Sequence, residues 1–134
     1  MRGDLNDTGI RRAFQWRHAM MPVSWALLIF GLHAIPGSEL PEQAFELLHV
    51  DKLIHLAMFS VLSASVFVAL GKSGTIRKYK WYAGVTLCMY GVGLEFAQDV
   101  WFEGRFASVG DMIADVLGVL AGRLAFRSIY GCWN

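Results

Sequence analysis

Charge is scarce in this sequence. Asp, Glu, Lys and Arg make up 17% of its 134 residues against 55% apolar types, a balance too greasy for a soluble domain of this size. Cysteine is nearly absent as well. Cys88 falls in the middle of an apolar run and Cys132 close to the C-terminal end, so neither a disulfide framework nor a paired-Cys metal motif is present. The sequence has no His-x-x-x-His pair, no Ser-His-Asp order, no nucleophile elbow and no phosphatase signature. Those absences remove the common hydrolase and zinc-protease templates. No low-complexity segment or internal repeat divides the chain, and no stretch is left over for a soluble domain.

What the chain does have is four long apolar runs: Met20–Ile35, Leu53–Leu70, Trp81–Ala97 extending to Phe102, and Met112–Tyr130. Each is at or near the roughly 17–25 residues that a helix needs to cross a hydrocarbon core. The sequence therefore predicts one all-α domain over residues 1–134, an integral membrane four-helix bundle with spans at about 18–36, 52–71, 80–102 and 109–130. The first span is read as a retained helix, because its core is long for a signal peptide and no clear cleavage site follows.

The segments between the runs alternate in charge. Residues 1–19 carry four Arg against two Asp, and 36–52 hold Glu39, Glu42, Glu46 and Asp51 against Lys52. Lys72, Arg77, Lys78 and Lys80 follow with no acid, then Asp99, Glu103 and Asp111 against Arg105, and finally Arg123 and Arg127. Because Lys and Arg favour the cytoplasmic side, both termini are placed in the cytoplasm and both acidic loops outside. Trp16, Trp81, Tyr82, Tyr130 and Trp133 then fall at the inner interface, and Trp101, Phe102 and Phe106 at the outer. The basic residues mark topology, and the net charge of +1 gives no footing for nucleic acid. Within the first outer loop, Phe45, Leu48 and Val50 are spaced like a short interfacial helix. Ala114, Gly118 and Gly122 recur every fourth residue, which suits close helix packing inside the molecule or a face for a second copy.

Ionisable residues within the runs are the anomaly. At a rise of ~1.5 Å per residue, His55 lies roughly 6 Å inward from Asp51, Glu95 roughly 9 Å inward from Trp101, and Asp115 roughly 6 Å inward from Asp111. All three fall at similar depth on the outer side. Asp51 with His55, Glu95 with Gln98, and Asp111 with Asp115 and Gly118 each share a helix face. A charge facing lipid costs at least ~2.5–3.5 kcal/mol, so these faces are expected to turn inward and form a polar pocket open to the outside. Arg105 and Lys52 stand over it, as counter-ions to the acids or as partners for an anionic ligand.

The ordered motifs "DKLIH", "GLEFAQ" and "GRFASVGDMIADVLGVLAG", over roughly residues 45–122, resemble the VanZ-like family of small bacterial membrane proteins. The resemblance maps onto Asp51, Lys52, His55, Glu95, Gln98, Gly104, Arg105, Ser108, Asp111, Gly118 and Gly122. Asp115 departs from it, since the family more often has Asn there. What the resemblance implies is a multi-pass protein of the bacterial cytoplasmic membrane acting at the envelope; the founding member is linked to tolerance of the glycopeptide teicoplanin.

The expected function is binding or modification of an anionic lipid or lipid-linked envelope precursor. Asp51, Lys52, Gln98, Arg105, Ser108, Asp111 and Asp115 would line the site, with His55 and Glu95 as base and acid if chemistry occurs. No cofactor is expected, and an ion-pair network accounts for these residues without a metal. The alternative is a structural or assembly subunit of a membrane complex, whose polar cluster fixes helix packing. A homodimer or complex partner fits either reading.

Overall fold

The computed structural model describes residues 4–36, 48–101 and 106–131, with side chains from Trp16 onward, those of 48 and 49 excepted. Within them the chain forms four helices and no strand: α1 Asp4–His33, α2 Leu48–Lys72, α3 Ile76–Trp101 and α4 Val109–Tyr130. The all-α bundle predicted from the sequence is the fold observed.

Helix boundaries depart from the apolar runs for physical reasons. α1 begins at Asp4, well ahead of the apolar run, because backbone hydrogen bonding continues through polar residues that a hydrophobicity reading leaves out. Leu48 and Val50 belong to the first turn of α2; Phe45 lies outside the described residues. The basic connector shrinks to Ser73–Thr75, with Arg77, Lys78 and Lys80 already inside α3.

Gly74 makes that tight reversal, at a φ of 69°. Its N–H donates to the Gly71 carbonyl and that of Thr75 to Leu70, each at 3.1 Å, the double bond that ends a helix on a left-handed residue. The Thr75 carbonyl then accepts from the N–H groups of Lys78 and Tyr79 and starts α3. At the other end of α3, Ser108 caps α4, its hydroxyl accepting from Asp111 N–H at 3.3 Å.

α4 packs chiefly against α2. Gly118 and Gly122 face it, and a Cβ on Gly118 would lie 2.6 Å from the Leu56 carbonyl oxygen, while one on Gly122 would overlap that of Ser60. The small residues of α4 thus serve contact within the molecule. Ser63 Oγ–H crosses the same seam to the Val119 carbonyl at 2.7 Å. α1 is tied on by Trp25 Nε1–H to the Met58 carbonyl at 3.0 Å and by Tyr90 O–H to the Ala26 carbonyl at 2.6 Å. Ile29, Phe59, Leu62, Leu87, Leu94 and Val119 form the apolar core between these contacts.

Large apolar side chains also stand on the outside of the bundle. Leu27 and Phe30 on α1, Leu53 and Val61 on α2, Met89 and Phe96 on α3, and Leu117 and Leu120 on α4 are all exposed. By length and composition, α2 over Val50–Lys72 is the one described helix apolar enough to cross a membrane. α4 falls short because it carries Asp111, Asp115, Arg123 and Arg127. Arg123 lies 4.5 Å over the Trp81 ring at the basic end of the bundle, a cation–π contact that shields part of its charge.

If glycine sets the spacing of α2 and α4, methyl groups should act with opposite sign at two sites. Gly122→Ala is expected to destabilise by about 1–3 kcal/mol through overpacking. Gly84→Ala, on α3 with no atom within 4 Å of the new methyl, should gain up to about 1 kcal/mol of helix propensity. Thermal unfolding of both variants in detergent reads the two signs.

Candidate functional site

Of the polar residues predicted to meet, His55, Glu95 and Asp115 come together at the end of the bundle where α2 and α4 start and α3 finishes. His55 Nδ1–H donates to Asp115 Oδ1 at 3.0 Å, and Glu95 Oε1 lies 3.9 Å from the same nitrogen. His55, Glu95 and Asp115 are 5%, 0% and 1% exposed. One imidazole thus links carboxylates from two other helices in a water-poor interior, where leaving a group unpaired is costly.

Each neighbour is positioned by a local feature. Glu95 Oε2 accepts from Ser108 N–H at 3.0 Å, so the α3 carboxylate reaches the residue that caps α4. Gly91, one helical turn before Glu95, makes room for Asp115: a Cβ there would lie 2.8 Å from Asp115 Oδ2. Nearer the surface, Lys52 Nζ donates to Asp111 Oδ1 at 3.3 Å and leaves a third of its side chain exposed. Its stem crosses Gly110, where a Cβ would lie 2.5 Å from Cε. Asp51 is exposed beside this pair.

Two predicted members sit differently. Gln98 is buried, but its amide turns to α1 and donates to the His33 carbonyl at 3.4 Å. Arg105 lies outside the described residues. The cluster has a further member that no helical spacing of charges announces, His33 on α1. This histidine is buried, its ring meets that of His55 edge-on with centroids 4.9 Å apart, and its Nδ1–H donates to the Ile29 carbonyl at 2.8 Å. Its position is its sequence signal: His33 stands near the C-terminal end of the first apolar run, at the end of the bundle occupied by the other three.

Acid outnumbers base in this cluster. Glu95 Oε1 and Asp115 Oδ2 are buried and have no hydrogen-bond partner among the described residues. Buried oxygens in that state call for an explanation. The two cavities described lie elsewhere and have apolar linings. One of about 520 Å³ runs between α1, α2 and α3 past Val23, Val66 and Leu87. Another of about 240 Å³ lies between α3 and α4, from Val109 at the polar end down to Leu117.

The His55–Asp115 bond gives a quantitative expectation. Removing either partner alone, as His55→Ala or Asp115→Ala, should cost about 3–5 kcal/mol, because a buried group loses its complement. Removing both should cost less than the sum of the singles, and a double-mutant cycle of unfolding free energies measures the difference. Comparison of the chain with protein-family models, with curated proteins and with solved structures returned no match, so the chemistry of these residues is what a functional reading rests on.

Proposed function

We propose that this chain is a multi-pass protein of the bacterial cytoplasmic membrane, VanZ-like in kind, with both termini inside. Its polar end then receives the anionic head group of a lipid or lipid-linked envelope precursor. The observation that carries the membrane reading is an inversion. His33, His55, Glu95, Gln98, Asp111 and Asp115 are buried, while large apolar side chains cover the outside of all four helices. Water would favour the reverse, and hydrocarbon favours this arrangement.

Whole-helix composition undercounts the lipid-facing apolarity of α3 and α4, since their acids Glu95, Asp111 and Asp115 point inward. At 22–26 residues, α2, α3 and α4 are about 33–39 Å long, enough for a core of ~30 Å. Trp81, Tyr82 and Tyr130 at one end and Trp101 and Phe106 at the other are exposed, as interfacial rings would be.

Two features support a head group at the polar end. Lys52 is a part-exposed cation lying across the first turn of α4, where backbone N–H groups and the helix dipole favour an anion. The groove between α3 and α4 begins at Val109, beside that turn, and continues along Met112, Val116 and Leu117. A head group on Lys52, with Arg105, which precedes the cap Ser108 in the sequence, as second cation, would leave its chain beside this groove. The burial of Glu95 and Asp115 favours the second reading, in which the cluster only fixes helix packing.

One experiment separates the two. Purified protein in nanodiscs is presented with labelled undecaprenyl phosphate, pyrophosphate-linked lipid and neutral phospholipid. Selective retention of the anionic lipids, weakened roughly 10- to 100-fold in Lys52→Ala and Arg105→Ala by loss of a charged hydrogen bond of about 1.5–3 kcal/mol, is the expected result. Equal, weak retention of every lipid would leave the packing role as the account of the cluster. Product formation with a bound lipid would assign His55 and Glu95 an acid–base role.

A further inference from the structure

Beneath the rim, a ring nitrogen of His33, a ring nitrogen of His55 and a carboxylate oxygen of Glu95 lie within 4.8 Å of one another, all three residues buried. They come from α1, α2 and α3, which is why no short sequence spacing announces them. We propose that these three residues form a binding site for a divalent transition-metal ion, zinc being the best match to two imidazoles and a carboxylate.

Three observations converge on a cation. The first is the unpartnered oxygen. Glu95 is fully buried, its Oε2 is held by Ser108 N–H, and its Oε1 has no hydrogen-bond partner among the described residues while facing His55 Nδ1 at 3.9 Å. The second is orientation. His33 Nδ1–H is held by the Ile29 carbonyl and His55 Nδ1–H by Asp115 Oδ1, which fixes each ring and puts the lone pair of the neutral imidazole on Nε2. Every ligand is thus aimed by an outer hydrogen bond, the arrangement that tunes protein metal sites. The third is charge. Glu95 and Asp115 both lie beside one imidazole N–H, which Asp115 takes, and a divalent ion beside them would answer both carboxylates.

The spacing is within reach of coordination. Bonds of about 2.0–2.1 Å in a tetrahedral site place ligand atoms roughly 3.4 Å apart, against the 4.8 Å within which one nitrogen of each ring and a Glu95 oxygen lie, so the three side chains close in on a bound ion. A second grouping, Asp51, His55 and Asp111, competes for His55, but Asp51 is exposed and Asp111 is already engaged by Lys52. Asp115 is placed as a positioning residue, acting through His55. The inference does not rest on the lipid reading, and it is tested with metal alone.

The full chain is prepared without a histidine tag, with Cys88→Ser and Cys132→Ser so that thiols do not contribute. Zn²⁺ content is measured by elemental analysis, and Co²⁺ is titrated while its d–d absorption is followed. One equivalent per chain is expected, with a visible band of nitrogen–oxygen coordination and a thermal midpoint that rises with Zn²⁺ and falls with chelator. His33→Gln and Glu95→Gln should lower affinity at least 100-fold, and Asp115→Asn by about 10- to 100-fold with the spectrum retained. A helical, monodisperse protein with His33, His55, Glu95 and Asp115 intact that takes up neither metal would overturn the proposal whatever the variants do. So would a His33→Gln variant that binds with unchanged affinity.

Discussion

Glu95 and Asp115 have left water, and whatever satisfies them must come from the protein itself. That constraint organises one end of the molecule. An unpaired buried carboxylate costs several kcal/mol, more than any single apolar contact in the bundle contributes. Asp115 can reach His55 only because α4 lies close against α2, and that approach requires Gly118 and Gly122. It fits beside α3 only because Gly91 has no side chain. Glu95 in turn fixes where α4 begins, through the N–H of its cap residue Ser108. Glycine, cap and charge are one arrangement seen from three sides.

The same constraint separates the composition of a helix from the face it exposes. A helix scored by composition is charged for Asp111 and Asp115 as though they met its surroundings, yet both are buried. Its outer face, with Ile113, Leu117, Leu120 and Leu124, is what the surroundings meet. α2 passes the composition test because its run from Val50 carries few charges, not because its outer face differs in kind. Depth matters as well as direction. The basic end keeps Arg123 against Trp81, and the opposite end holds the acids, so the two ends are chemically distinct.

The sequence made much of this legible, for reasons that can be named. Helix number and the meeting of His55, Glu95 and Asp115 followed from run length, helical spacing and depth, which are properties of a regular helix and need no tertiary knowledge. The ends of α1 and α3 were not legible from apolar runs, since Asp4–Trp16 and Ile76–Lys80 are helical without being greasy. Gln98 shares a face with Glu95 but bonds to α1, because a long amide chooses its partner from the packing around it. His33 has no charged residue a helical turn away, so spacing does not single it out, and its ring contact with His55 does.

What stands at the centre is the claim that hydrocarbon surrounds the apolar exterior while the polar cluster faces inward. Spin labels at Leu27, Val61, Met89 and Leu120, one exposed position on each helix, measure this directly in lipid nanodiscs. Collision with oxygen, which concentrates in hydrocarbon, is compared with collision by a water-soluble nickel chelate. High oxygen and low nickel accessibility at all four positions is the result the account predicts. High nickel accessibility on α1, α3 and α4, with α2 alone shielded, would contradict it.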